Sequence, residues 1–311
     1  MGNTDYDLII LGAGPAGLTA GLYASRSKLK TLILDEAFGG GQLALTHEIA
    51  NYPGVETMGG FELAELMKKQ TGSFGCEFKT GVEVTGYDIK GNIKTLELDG
   101  EKKVTAKTFI IAVGGKPRTL GIPSEEKFKG RGISYCATCD GPFFRDKNVI
   151  AIGGGNSALE EGAYLTNFAK NVTIVHRSNT FNAQPIAVEE ARSKSNMSFL
   201  MNTEVKEFQG EKKVEKAVLY NNETKTESVM DIEGAFIFIG YVPNTKPFEG
   251  ILEMNKWGEL IADVNMNTNI PGVFVAGDAR EKKYRQVVNA CADGCIAALE
   301  AYEYIQKAGH S

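Results

Sequence analysis

Apolar and polar positions along the chain fall into two segments of one design. The first opens on Tyr6-Asp7-Leu8-Ile9-Ile10-Leu11, a nearly continuous apolar run that predicts a buried strand. Gly12-x-Gly14-x-x-Gly17 follows, then an Ala-, Leu- and Tyr-rich helical stretch to about Lys28. A strand over Thr31 to Leu34 closes the segment at Asp35 and Glu36. The second segment repeats this with a strand from Asn148 to Ile152, the turn Gly153-x-Gly155-x-x-Ala158, and a helix through Glu160 to about Phe168. Its closing strand runs from Asn171 to Val175. Each segment is strand, glycine turn, helix, strand, which predicts parallel α/β sheets.

Shorter β-rich runs follow, over 83–87, 93–98 and 104–112 after the first segment and over 214–220 and 235–239 after the second. Gly-Gly-Lys-Pro at 114–117 and Gly-Tyr-Val-Pro-Asn at 240–244 are turn-rich and flank the second segment. They predict two crossings of a domain boundary, with a first domain built from 1–117 and 244–311 and a second, inserted one over 118–243. A buried strand ending at Gly277-Asp278 and a small-residue helix from about Gln286 to Tyr304 complete the first domain.

The context of the glycines decides their meaning. Each set follows a strand and opens a helix, the arrangement in which the backbone turns sharply and approaches a pyrophosphate resting on the helix N-terminus. Asp35 and Glu36 stand about twenty residues beyond the first turn, where a carboxylate accepts ribose hydroxyls; either of the two fits that role.

Composition narrows the class. The 311 residues suffice for two domains, and 42% hydrophobic and 23% charged residues are ordinary for a globular protein. With 36 Gly but only 9 Pro, the chain is rich in tight turns and close backbone approaches. A net charge of −5 argues against nucleic acid as a partner. No basic leader precedes the first strand, and no apolar run reaches the length of about 18 residues that a membrane span requires, so a cytoplasmic protein is expected.

The second chemical signal is Cys136-Ala137-Thr138-Cys139. In a non-secreted chain with βαβ units this spacing predicts a redox disulfide. Zinc would need four ligands, and no second Cys-x-x-Cys exists, while His47, His176 and His310 are scattered; no metal is expected. Asp140 follows at once, placed either to exchange a proton with the Cys139 thiolate or simply to form the turn before Gly141-Pro142. Cys291 and Cys295, spaced i,i+4 in the last helix, and Cys76 in a glycine-flanked loop read as structural.

With these motifs in place the chain resembles the low-molecular-weight thioredoxin reductases of the pyridine nucleotide–disulfide oxidoreductase family. The resemblance runs through Gly12 to Gly17 (with Pro15 and Ala16), Gly40-Gly41-Gln42-Leu43, Asn51-Tyr52-Pro53-Gly54, Cys136 to Gly141, Gly153 to Ala158 (with Asn156 and Ser157), and Gly277-Asp278 with Arg285-Gln286. It implies an α/β protein with two Rossmann-like dinucleotide-binding domains, an FAD domain carrying an inserted domain for the nicotinamide and the redox disulfide. It also implies a homodimer and a thioredoxin or similar dithiol protein as substrate. Cys139 would face the flavin, Cys136 would attack thioredoxin, and Asp140 would donate the proton. FAD contacts would come from the first glycine turn, Asp35 or Glu36, Gly41 to Leu43, Asn51, Val84, Ala112, Gly114, Asp278 and Arg285 to Val287.

One departure stands out. Members that use NADPH carry His-Arg-Arg-x-x-x-Arg after the second domain's second strand, whereas this chain reads His176-Arg177-Ser178-Asn179-Thr180-Phe181-Asn182. Two of three phosphate-binding cations are missing. Each charge-assisted bond is worth about 1.5–3 kcal/mol, so NADPH affinity drops by roughly two to four powers of ten. The second glycine turn is intact, which makes NADH the expected donor ahead of NADPH, with ferredoxin or another protein donor as the alternative. Competing classes are a flavin-binding electron-transfer or regulatory module without a nicotinamide reaction, and an alkyl hydroperoxide reductase flavoprotein. The latter usually has an extra thioredoxin-like domain ahead of the first glycine turn. The redox cysteines share their domain with the second glycine turn, so access of both nicotinamide and Cys139 to one flavin predicts a domain rotation about the crossings at 114–117 and 240–244.

Overall fold

The computed structural model describes residues 4–46 and 49–309; His47 and His310 therefore lie outside the described residues. Two compact units form, one from Met1–Lys116 with Val242–Ser311, the other from Pro117–Tyr241.

The first unit begins β1 (Tyr6–Leu11), α1 (Pro15–Arg26), β2 (Thr31–Asp35), α2 (Gly41–Ala44), α3 (Gly60–Gly72) and β3 (Glu77–Thr80). It continues β4 (Val84–Asp88), β5 (Lys94–Leu98), β6 (Lys102–Ile111) and β7 (Gly115–Pro117). The second unit contains α4 (Pro123–Phe128), β8 (Ile133–Ser134), α5 (Ala137–Asp140), β9 (Asn148–Ile152), α6 (Asn156–Leu165), β10 (Asn171–Val175) and α7 (Pro185–Ser193). After these come β11 (Met197–Leu200), β12 (Thr203–Gln209), β13 (Lys216–Asn221), β14 (Thr226–Asp231) and β15 (Gly234–Ile237). Past β16 (Tyr241–Pro243), β17 (Val273–Val275) and α8 (Val287–Gly309) return to the first unit.

In the first unit the sheet order is β3-β2-β1-β6-β5-β4, with β17 also on β6. β1, β2, β3, β6 and β17 are parallel, while β4 and β5 add an antiparallel flap. Successive side chains of β1 serve opposite cores: Ile9 and Leu11 join Phe109, Ile111 and Phe248, whereas Leu8 and Ile10 join the inner faces of α1 and α8. Burial on both faces explains why β1 lacks the alternation of a half-exposed strand. The second unit repeats the plan in a parallel sheet of order β11-β10-β9-β15-β8, covered on one face by α6 and α7. Its other face carries an antiparallel sheet, β12-β13-β14.

Both βαβ units form where the hydrophobic pattern placed them, with shorter helices than expected: α1 ends at Arg26 and α6 at Leu165. Each stops where turn bonds take over, Lys28 N–H to Ser25 O in one case and Asn167 N–H to Tyr164 O in the other. The last helix instead runs on to Gly309. The two crossings are tied to each other, by Asn244 N–H to Gly114 O at 3.0 Å within the first unit and by Arg118 N–H to Gly240 O at 2.9 Å within the second.

Lys94 is 1% exposed, and its Nζ donates to the carbonyls of Ile89 (3.0 Å), Gly91 (2.7 Å) and Pro271 (2.7 Å). Burial lowers its proton affinity, yet three carbonyls aimed at one ammonium tie the β4–β5 connection to the turn ahead of β17. Lys94→Met should therefore cost about 2–4 kcal/mol of stability, because three carbonyls, that of Ile89 buried, lose a charged donor. A lowered urea midpoint checks this against Lys90→Met at an exposed site, which should leave the midpoint unchanged.

Candidate active site: two glycine turns and a redox disulfide

In the first unit the turn after β1 divides its glycines by role. Gly12 has φ +104°, and a Cβ there would strike the Ala112 carbonyl; a Cβ on Gly17 would strike the Gly12 carbonyl. Packing demands both. Gly14 is different, since its Cβ would meet only the Gly41 Cα at 3.9 Å. The open space there lies beside the N-terminus of α1, where Pro15 and Ala16 begin the helix, and its shape and position fit a pyrophosphate. The partner loop is fixed by Gly40 N–H to Ala13 O at 2.7 Å, which sets Gly41, Gln42 and the buried Leu43 alongside.

Asp35, at the end of β2, is spent on the loop itself. Its carboxylate accepts the Ala13 amide at 2.6 Å and the Ala37 amide at 2.8 Å. Glu36 beside it is exposed. Val84 and Ala112 lie in the cores flanking the sheet, and Gly114 begins the first crossing.

Asp278 follows β17. Its Oδ1 is buried and meets no hydrogen-bond donor among the described residues, and burial raises its proton affinity against the nearby charges of Lys282 and Arg285. An orphaned buried oxygen suits a ligand that brings a hydroxyl donor, and FAD does. Arg285 is ion-paired with buried Glu259, which Asn255 Nδ2 also reaches at 2.6 Å. Gln286 Oε1 accepts from Asn51 Nδ2 at 3.3 Å, and Val287 starts α8.

In the second unit a Cβ on Gly153 would strike the Phe238 carbonyl, while Gly155 has nothing within 4 Å. Packing and open space alternate as in the first turn, with the fully buried Ala158 in the third place and Asn156 and Ser157 opening α6. The segment after β10 folds back onto this turn. The His176 ring packs against Gly154, its Nε2 lies 2.9 Å from Thr180 O, and it stacks on Phe181. Asn182 N–H donates to Gly154 O at 2.7 Å, and Gln184 N–H to Asn156 Oδ1 at 2.7 Å. Arg177 is exposed and Ser178 half-buried. Asn222 Nδ2 joins the Arg177 carbonyl (3.1 Å) to Glu204 Oε1 (3.2 Å). The Glu204 carboxyl is held below its usual range, chiefly by Lys206 and also by the Arg177 charge.

Cys136 and Cys139 are joined as a disulfide, with Cα atoms 5.3 Å apart, and both are half-buried. Cys139 N–H points at Cys136 Sγ (3.2 Å), Cys136 N–H at Ser134 Oγ (3.1 Å), and Asp140 N–H at Cys136 O (3.1 Å). Ser134 donates to Asp140 Oδ2 at 2.5 Å. Glu161 Oε2, from α6, accepts the Ala137 amide at 3.0 Å. Elsewhere, burial pushes the Cys76 thiol up to about 12. Among the described residues, no three His, Cys, Asp or Glu side chains gather as a metal site, and no helix is long and apolar enough to cross a membrane.

Residues 6–294 match the family model described as pyridine nucleotide-disulphide oxidoreductase. The chain belongs to that family. It is 45% identical to a thioredoxin reductase of Peptoclostridium acidaminophilum over 309 residues, 97% of each chain. Among solved structures, thioredoxin reductase from Streptococcus pyogenes superposes with a TM-score of 0.92 at 40% identity, covering 97% of this chain and 98% of that one. The Lactococcus lactis thioredoxin reductase titled as its FR conformation is also 40% identical, over 97% and 100% of the two chains, with a TM-score of 0.67. As a pyridine nucleotide-disulphide oxidoreductase the chain is an enzyme that uses FAD and a nicotinamide cofactor.

Ser134, Glu161, Glu204, Glu259 and the Asp293 cluster under Asp278 carry no motif. Asp293 is 5% exposed and accepts from Gly277 N–H (3.0 Å), Arg280 Nε (2.9 Å) and Lys282 Nζ (2.5 Å). A lone acid among Ala, Gly and Cys of the last helix was its one signal in the sequence.

Gly14→Val should yield a folded but colourless protein, because the added Cβ meets only Gly41 Cα, at 3.9 Å, and the side chain takes up the space left for a pyrophosphate. Asp278→Ala should weaken flavin retention by roughly ten- to a hundred-fold, through loss of one charge-assisted bond. Flavin absorbance after gel filtration, with far-ultraviolet circular dichroism as the folding control, reads both.

Proposed function

We propose that this enzyme reduces the disulfide of a thioredoxin-type protein with electrons from NADH. The observation that carries the reading is the Cys136–Cys139 disulfide, seated in the same unit as a second open glycine turn. When bound, FAD supplies the two-electron link between the nicotinamide and that disulfide.

The chain's own residues then divide the work. Cys136 is the exchanging thiol and Cys139 the flavin-side thiol. Asp140, oriented by Ser134, holds the proton that the Cys139 thiolate takes. Glu36 takes the adenosine ribose, since both Asp35 oxygens already serve backbone amides. Access of both the donor and Cys139 to one flavin calls for alternation of the two units about their crossings.

For the donor, Arg177 is the one cation left of the phosphate-binding set, and the Glu204 carboxylate beside it repels a 2′-phosphate. Both features favour NADH. A protein donor such as ferredoxin is the second reading, favoured by the commitment of Gly154, Asn156 and His176 to the loop that folds over their turn.

Anaerobic bleaching of the flavin separates these readings: NADH should act at concentrations where NADPH is far weaker. Ser178→Arg with Asn182→Arg should restore NADPH use by roughly ten- to a thousand-fold, with NADH affinity little changed. Equal use of the two cofactors removes the NADH preference, and bleaching by reduced ferredoxin alone establishes the second reading.

Cys136→Ser should abolish reduction of a thioredoxin disulfide while leaving flavin bleaching intact, and Cys139→Ser should trap a mixed disulfide at Cys136. Full turnover by either variant excludes the assignment.

A further inference from the structure

α6 carries two adjacent carboxylates, Glu160 and Glu161, beyond the glycine turn that opens it. Glu160 is exposed, whereas Glu161 reaches the redox turn and takes the amide of Ala137, the fully buried residue after Cys136. The neighbouring amides of Cys136, Cys139 and Asp140 are satisfied by the redox turn itself or by Ser134 just before it. Ala137 alone of these four takes its acceptor from outside the segment 134–140. Any neutral oxygen would serve that amide. A carboxylate brings in addition a poorly hydrated charge, one peptide away from the sulfur that must become a thiolate.

We propose that Glu161 is a positioning residue for the redox pair: its carboxylate fixes the peptide that follows Cys136, and its charge sets how readily Cys136 yields a thiolate. The proposal rests on the disulfide-exchange reading above. In that exchange Cys136 loses its proton to solvent, and its thiolate attacks one sulfur of the partner's disulfide. The partner's S–S bond breaks, and the electron pair leaves on the second sulfur. Cys139, as thiolate, then displaces the first partner sulfur. The Cys136–Cys139 bond re-forms, the pair is oxidised by two electrons, and the partner, reduced by two, takes up two protons.

An ionised Glu161 opposes the first of these steps, and a protonated one does not. Burial raises the proton affinity of Glu161, Glu160 adds to the rise, and the Ala137 amide opposes it. Of the elements packed on α6, β9 and β10 hold no ionisable side chain, and α7 contributes only the exposed Glu189, Glu190 and Arg192. The redox turn contributes Cys136, Cys139 and Asp140. Under this proposal the ionisation of Glu161 and that of the reduced Cys136 each hinder the other.

The test uses the flavin-loaded Cys139→Ser protein, in which Cys136 stays a thiol. Its alkylation by iodoacetamide is followed over pH by mass analysis of the Cys136 peptide. Adding Glu161→Gln keeps an acceptor for the Ala137 amide and removes the charge. The midpoint should fall by about half a unit to one unit, and the broad profile should sharpen to a single step. Glu161→Asp, which restores a carboxylate, should move the midpoint back. Coincident profiles for the Cys139→Ser parent and its Glu161→Gln derivative overturn the proposal. An equal shift from Glu160→Gln overturns it too, since the effect would then be diffuse charge. The readout needs neither donor nor protein substrate, so failure of the exchange reading, seen as full turnover by Cys136→Ser, is recognised separately.

Discussion

The first unit depends on a main-chain contact that leaves no room for a side chain. α1 lies so close to its own glycine turn and to α8 that a Cβ on Gly17 would strike the Gly12 carbonyl, and one on Gly294 the Ala16 carbonyl. That approach brings the last helix of the chain over the first βαβ unit. Asp293, one residue before Gly294, is thereby delivered to the Gly277 amide and to Arg280 and Lys282. Asp278 is held over this cluster with one oxygen unpaired. The two ends of the chain build one site because two helices touch through backbone. A buried ionic cluster of this kind is costly to dehydrate, and it holds only while each charge keeps its partners.

Much of this was legible in the sequence, for a physical reason. The strands of both βαβ units are buried on two faces, so their apolar runs are continuous, and Gly12, Gly17 and Gly153 mark close approaches that no other residue permits. Asn148–Ile152 and Asn171–Val175 form within the limits their hydrophobic runs predict. The Cys-x-x-Cys motif was equally readable, because the pairing of its sulfurs is local.

Other parts gave no local signal. β12 and β14 alternate weakly, and β14 is exposed along nearly its whole length, Val229 included, so their pairing about β13 is decided by tertiary contact. α3 has glycine at both ends and few buried residues, and its place is set by packing on α1. Ser134 and Glu161 act through single hydrogen bonds across the chain, a relation that spacing does not record. The choice between Asp35 and Glu36 was open for the same reason: only the fold reveals that the Asp35 oxygens are engaged by Ala13 and Ala37.

Cys76 sits 7% exposed between β2 and α1, where a Cβ on Gly21 would already press on its sulfur at 3.1 Å. Burial keeps that thiol protonated through the physiological range. A flavoprotein exposed to oxygen is a source of peroxide, and peroxide attacks thiolates. A sulfur that cannot ionise is invisible to such oxidants and cannot scramble with the exchanging pair. In this way the fold keeps this thiol apart from the redox chemistry without having to exclude cysteine from its core.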